Sequence, residues 1–362
     1  MIQSEKSFTN FMLYTNKLIF SKKKINPKDN ILIIGSPRSG TTWLMEILQL
    51  LPNYTYLSEP INPILFPEAF TIGFTSRTYL PIDNDWPSGE RHLDKIFRGH
   101  VMNHPIPARL KDAENNQPNY SPPSFQKQLQ DLYKLQPKTL INHLFAKKLV
   151  VKFVRLNRLL PWISQRFQLR GIIFIIRHPC AVIASQLNTG FCGYHPSSPP
   201  YTDIYPSLEM LLHEASKIEG LSPNVLQKLK EIKTREEILA ATWCLDNLIP
   251  LSHAKPYPWT VVTYEKLIKE GEQELKRIFH EIGQKTIPPD CYKYLKKPSK
   301  LTTEQEQHIV TQRDKQLSKW KKKLSEEQIK RILSVVSDFG LDFYNENIEP
   351  NYNKINVTNM SL

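Results

Sequence analysis

Five short apolar runs punctuate the chain, and between them the apolar spacing turns helical. Ile31-Leu32-Ile33-Ile34, Leu149-Val150-Val151 and Ile172-Ile173-Phe174-Ile175-Ile176 are continuous rather than alternating. That is the pattern of strands buried on both faces of a parallel sheet. Tyr54-Thr55-Tyr56-Leu57 and Thr260-Val261-Val262-Thr263-Tyr264 are rich in β-branched and aromatic residues and read the same way. Strands are therefore expected near 31–35, 54–58, 149–153, 172–176 and 260–264. After the first run, Leu44, Ile47, Leu48 and Leu51 share a helical face until Pro52. After the last, Leu275, Ile278, Phe279 and Ile282 do so, with Gly283 as the stop. Ser325-Glu326-Glu327-Gln328 forms a capping box ahead of Ile329, Leu333, Val336 and Phe339, and Gly340 ends that stripe.

Strands alternating with helices predict a three-layer α/β/α fold around a central, mostly parallel sheet of about five strands. With 362 residues the chain has room for one large α/β domain or two small ones. The reading is a single domain over 1–362 with its core at about 30–345. Two long insertions interrupt the strands: 61–148, rich in proline and aromatics, and 186–250, where Pro196, Pro199, Pro200 and Pro206 precede a return to helical spacing; long loops in α/β folds gather where ligands bind. They are expected to recognise the substrate. Residues 346–362 are polar and expected to fray.

The chemistry begins at the end of the first run. Gly35-Ser36-Pro37-Arg38-Ser39-Gly40 makes a tight turn, and Thr41 opens the helix. Strand, glycine loop and helix aim backbone N–H groups and a helix N-terminus at an anion. Gly35 and Gly40 have the P-loop spacing, but Thr41 stands where a triphosphate-binding loop has its lysine. The loop suits a shorter anion at the 5′ position of a nucleotide, with Arg38 as the cation. The fourth run ends at Arg177-His178-Pro179, and a helix follows in which Ser185 lies eight positions after Arg177. Arginine's planar fork and a serine hydroxyl are good phosphate donors. Pro179 fits a first helical turn, where its missing N–H costs nothing.

Pro37-Arg38-Ser39-Gly40-Thr41-Thr42 resembles the 5′-phosphosulfate loop of sulfotransferases that use 3′-phosphoadenosine-5′-phosphosulfate (PAPS). Arg177 and Ser185 resemble the 3′-phosphate motif of the same enzymes. Tyr264-Glu265-Lys266-Leu267 is similar to their structural Y-E-x-L element, and Leu317-Ser318-Lys319-Trp320 to a late segment of the tyrosylprotein branch. The resemblance touches residues 30 to 345 but is specific at only a few short sites. It implies a P-loop-like phosphosulfate site in which Pro37, Arg38, Ser39, Gly40, Thr41 and Thr42 hold the 5′ end. Arg177 and Ser185 would hold the 3′-phosphate. Lys296-Lys297-Pro298-Ser299-Lys300 stands where the family folds a basic, hydroxyl-bearing segment over the nucleotide. Ser299 and Lys300 are its candidates here.

The resemblance also implies catalytic residues. Glu59 lies 21 positions after Arg38, where tyrosylprotein and many carbohydrate sulfotransferases place a glutamate base. Lys152 lies 25 positions before Arg177, where the family has a lysine near the leaving oxygen. The phenol and steroid branch has a histidine two residues after that lysine, and here the position is Val154. His100 and His104 are distant substitutes. The implied activity is transfer of a sulfuryl group from PAPS, with PAP as product and no metal, to an acceptor hydroxyl or an amine. Glycan, lipid, tyrosine and small-metabolite acceptors all remain open. A P-loop kinase or NTPase is the rival enzyme, and a non-catalytic nucleotide- or polyanion-binding protein is the other rival.

Composition narrows partners rather than chemistry. A net charge of +13 attracts polyanions, and PAPS itself accounts for part of that excess. No nucleic-acid-binding signature is present. Cys180, Cys192, Cys244 and Cys291 show no C-x-x-C spacing, so free thiols in a reducing, cytoplasmic setting are expected. Residues 1–30 contain no uninterrupted apolar stretch, which argues against a leader or anchor. Residues 8–24 fit either a helix packed on the domain or a basic amphipathic helix at a membrane surface.

Overall fold

The computed structural model describes residues 24–61, 68–75, 77–101, 145–189, 206–297 and 313–357. All five apolar runs are strands: β1 (Ile31–Ile34), β2 (Tyr54–Ser58), β3 (Lys148–Phe153), β4 (Gly171–Ile176) and β5 (Thr260–Thr263). They form one sheet in the order β2-β3-β1-β4-β5, and every neighbouring pair is parallel. The helices that matter for the site are α1 (Thr41–Leu48), α2 (Pro87–Phe97), α3 (Pro179–Thr189), α4 (Arg235–Leu251), α5 (Gly271–Glu281), α6 (Glu326–Asp338) and α7 (Tyr352–Val357).

Strand side chains alternate between faces, and two separate cores result. Ile31, Ile33, Val150, Ile173, Ile175 and Val262 pack with Leu44 and Leu48 of α1 and Leu275 and Ile278 of α5. Leu32, Ile34, Val151, Phe174 and Ile176 pack on the other face with Ile96 of α2, Val182 of α3, Leu245 of α4 and Val336 of α6. Helices on both faces of a parallel sheet make the three-layer α/β/α fold. The chain runs from β1 outward to β2, returns with β3, and crosses β1 to lay down β4 and β5. The carboxyl end of β1 therefore lies where the strand order reverses, which is where open α/β sheets bind ligands.

Two expectations need correction. The span 186–250 is not wholly given to substrate recognition, because α4 belongs to the core. Its residues Leu239 to Leu251 are all buried, and a capping box between Thr234 and Glu237 starts it. Asp246 on α4 accepts from Arg158 Nε at 2.9 Å and from Arg77 Nε at 3.2 Å, so charges as well as methyls fasten it inside. The C-terminal segment does not fray from residue 346. Asn351 N donates to Phe343 O at 2.7 Å, Lys269 Nζ lies 2.8 Å from Glu349 Oε1, and Ile355 of α7 is buried. The polar composition hid an apolar spacing, Ile348, Tyr352 and Ile355, that docks the segment. Among the described residues no helix is long and apolar enough to cross a membrane.

Candidate active site

The loop after β1 is gripped from outside. Arg38 and Gly40 both take left-handed backbone, at φ 74° and 98°. Gly35 is required by close approach, since a Cβ there would lie 2.5 Å from the Ile175 carbonyl. Three consecutive loop carbonyls are engaged by protein donors. Ser39 N donates to Ser36 O at 3.0 Å, Gln186 Nε2 to Pro37 O at 3.2 Å, and Arg177 Nη1 to Arg38 O at 2.9 Å. Beneath, the buried amides of Asn157 and Asn247 both reach Ser36 Oγ at 3.4 Å. A loop with its carbonyls turned into the protein and a helix N-terminus behind it is built like an anion nest. Thr41 and Thr42 open α1 and are buried, as are Ser39 and Pro37.

The second motif meets this loop directly. Arg38 Nε donates to Ser185 Oγ at 2.8 Å, so the arginine of the first motif touches the serine of the second. The Arg177 guanidinium lies 4.4 Å from the ring centre of Tyr264, in cation–π geometry. Tyr264 also receives Gln316 Nε2 at 2.7 Å and the edge of Trp43 at 6.1 Å between centroids. Burial raises the Tyr264 phenol above its ordinary value, with Arg177 opposing. Trp43 Nε1 donates to Lys297 O at 3.1 Å, which ties α1 to the late basic segment. Ser299 and Lys300 lie outside the described residues, as do His104 and Cys192.

Glu59 and Lys152 are also brought together. Glu59 N donates to Lys152 O at 2.9 Å, Glu59 turns at φ 54°, and Lys152 Nζ lies 3.0 Å from Glu59 Oε1. Arg155 Nη1 closes on the other carboxylate oxygen at 3.4 Å. Lys152 and Arg155 are about 5% exposed, and the Glu59 side chain is 12% exposed. The group is thus sheltered but open on one side. Arg155 escaped the sequence reading; its only signal was a charge three residues beyond Lys152. Gln186, Asn157 and Asn247 escaped as well, because single amides carry no pattern. His100 lies past the end of α2, where its N–H returns to Lys95 O at 2.9 Å.

The unsatisfied atoms of the two motifs suit a doubly anionic nucleotide. Ser39 Oγ and Arg177 Nε are buried with no hydrogen-bond partner among the described residues. Both are donors, and both belong to the two motifs. Unsatisfied buried donors are costly, and anionic oxygens satisfy them. The donor set therefore fits phosphate-like groups.

A parallel sheet flanked by helices, whose central strand ends in such a loop with charged clusters on its neighbours, defines an α/β protein with a donor-lined loop at its carboxyl edge. The sulfotransferase domain family model matches residues 28–338, most of the chain, and the protein belongs to that family. Membership makes sulfuryl transfer the general reaction. Solved structures with similarity include mouse sulfotransferase SULT7A1 complexed with PAP, at 12% identity and TM-score 0.39, covering 90% of this chain and 88% of that one. The sulfotransferase domain of the Synechococcus PCC 7002 olefin synthase has 16% identity and TM-score 0.39, covering 90% and 97%. The sulfotransferase domain of the curacin biosynthetic pathway has 15% identity and TM-score 0.40, covering 87% and 99%. No curated protein matches the chain.

Proposed function

We propose that the protein transfers a sulfuryl group from PAPS to an acceptor hydroxyl, or to an amine, with Glu59 as general base. The observation that carries this reading is the contact of Arg38 Nε with Ser185 Oγ at 2.8 Å. It joins a loop suited to a 5′ anion with an arginine–serine pair suited to a 3′-phosphate. PAPS supplies an activated sulfuryl group on a phosphate leaving group. Arg38, Ser39, Gly40, Thr41 and Thr42, with Pro37 shaping the turn, bind the 5′ end. Arg177 and Ser185 bind the 3′-phosphate.

Glu59 takes the acceptor proton as the acceptor oxygen forms its bond to sulfur and the bond from sulfur to the phosphate oxygen breaks. Lys152, with Arg38, neutralises the charge gathering on the departing oxygen. The cations this requires are side chains, so no metal is assigned a step. Cys180 and Cys291 are free thiols that burial pushes up to about 12 and about 11, which keeps them inert and suits a reducing compartment.

Thermal-shift and calorimetric titrations with PAP and ATP test the donor assignment. PAP is expected to stabilise the protein and ATP much less. Arg177→Ala is expected to weaken PAP by about tenfold or more, through loss of charge-assisted bonds. Equal stabilisation by the two nucleotides, unchanged in the variant, sinks the assignment. An acceptor panel with labelled PAPS then tests turnover and separates an enzyme from a binding protein.

A further inference from the structure

The residues assigned above to the 3′-phosphate also hold the 5′ loop. Arg177 Nη1 bonds the Arg38 carbonyl at 2.9 Å, Ser185 Oγ receives Arg38 Nε at 2.8 Å, and Gln186 Nε2 bonds the Pro37 carbonyl at 3.2 Å. Gln186 is 4% exposed and follows Ser185 on α3, so one helix and the strand end before it grip two adjacent loop residues. Those residues include Arg38 at φ 74°, a backbone that a non-glycine residue keeps only when its surroundings enforce it.

We propose that Arg177, Ser185 and Gln186 are positioning residues for the phosphosulfate loop, so that the 3′ and 5′ anion sites act as one coupled unit. Carbonyl groups left unfastened could rotate toward the bound anion and repel it; these side chains hold two of them away. The Ser185 bond spends one of the five guanidinium hydrogens of Arg38 and orients the plane that carries the others. Gln186 needs no contact with the nucleotide to matter. Two independent sites predict a different outcome, because a 3′-phosphate ligand is then irrelevant to the loop.

Adenosine 5′-monophosphate, which lacks a 3′-phosphate, separates the cases, and the inference rests on the PAPS reading. Affinity for this ligand and for PAP is measured in wild type, Ser185→Ala, Ser185→Thr, Gln186→Ala and Arg177→Ala. The coupled unit predicts that Ser185→Ala and Gln186→Ala each weaken the monophosphate about threefold to tenfold, as expected for one lost bond. Ser185→Thr, which keeps the hydroxyl, restores it, and Arg177→Ala weakens both ligands. Monophosphate affinity unchanged in all variants while PAP affinity falls overturns the coupling and leaves the PAPS reading intact. Wild type that binds no PAP overturns the reading and the coupling with it. If wild-type monophosphate binding is too weak to titrate, amide hydrogen exchange of residues 38–42 without ligand decides. Exchange is expected to quicken in Ser185→Ala and Gln186→Ala, and unchanged exchange overturns the proposal.

Discussion

Lys152 Nζ lies 3.0 Å from Glu59 Oε1, although the residue opposite Lys152 in the β2–β3 ladder is Ser58. In a regular strand the residue after Ser58 would point to the other face. Glu59 leaves the strand at φ 54°, and this turn returns its carboxylate to the side of Lys152. The left-handed backbone thus has a chemical consequence, consistent with strain gathering at functional positions. Glu59→Gln keeps the shape and removes the proton acceptor. Turnover is expected to fall by about 10²–10⁴, the usual contribution of a general base. PAP affinity should stay within about threefold, since the anion contacts come from other strands. Single-turnover transfer and PAP titration check both, and wild-type turnover would return Glu59 to the role of a turn residue.

Lys152 and Arg155 flank the same carboxylate but have different expected roles. Lys152→Ala removes a cation from the departing oxygen as well as from Glu59. Its rate deficit is expected to shrink with a sulfuryl donor whose leaving group is a weaker base. Arg155→Ala removes an orienting partner of Glu59 at 3.4 Å, and its deficit should be the same for both donors. Matching the two donors in single-turnover assays distinguishes the residues; identical donor dependence would mean that both merely orient Glu59.

Gly40 is fixed by two independent constraints. Its φ is 98°, and a Cβ there would lie 2.5 Å from Cδ2 of the Tyr264 ring. Tyr264 in turn supports the Arg177 guanidinium. Gly40→Ala is expected to destabilise the protein by at least about 1–2 kcal/mol, the cost of left-handed backbone for an L-residue, with the overlap on the Tyr264 ring adding to it. PAP affinity should fall by more than that strain explains, because the ring must move. Thermal unfolding with PAP titration tests this, and a wild-type affinity would separate Tyr264 from the anion site.

The strands were legible because a parallel sheet covered on both faces leaves no polar alternation, so β1, β3 and β4 read as unbroken apolar words. The loop was legible because its glycines answer a backbone demand, and Ser325 with Gln328 because the free N–H groups of a helix start need local acceptors. What escaped depends on contacts far apart in sequence. Arg77 and Arg158 share Asp246, and Gln186 finds Pro37, without any spacing that announces it. The helical spacing after the prolines of 186–250 was legible, but the burial of α4 was not: it is enclosed nearly all round, Asp246 and Asn247 included, so no clean apolar stripe marks it as core.

The last prediction concerns acid stability, and it follows from His178. The ring is 1% exposed, stacked on Trp320 at 4.5 Å between centroids. Cys180 N donates to Nδ1 at 3.2 Å, which leaves Nε2–H to donate to Asn345 O at 2.8 Å. Burial lowers its pKa to about 4, with Arg177 and Lys321 pushing the same way and the backbone carbonyls of Asn345 and Asn347 opposing. The folded state therefore keeps His178 neutral where the unfolded chain takes up a proton. Its contribution is fully present above the unfolded value of 6.5 and is lost as pH falls toward about 4. The span corresponds to about 3 kcal/mol. Glu265, raised by burial, has the opposite sign and loses stability as pH rises from 4.5, so it partly masks the slope. His92, also lowered to about 4 by burial, has the same sign as His178. His178→Asn keeps an acceptor ahead of α3 and removes the titrating ring. The variant is expected to be less stable at pH 7, because the Trp320 stack and the Asn345 bond are gone. The gap between variant and wild type should narrow by about 3 kcal/mol between pH 7 and pH 4. Urea unfolding across that range measures it, and parallel profiles for the two proteins would show that His178 does not set the acid limit.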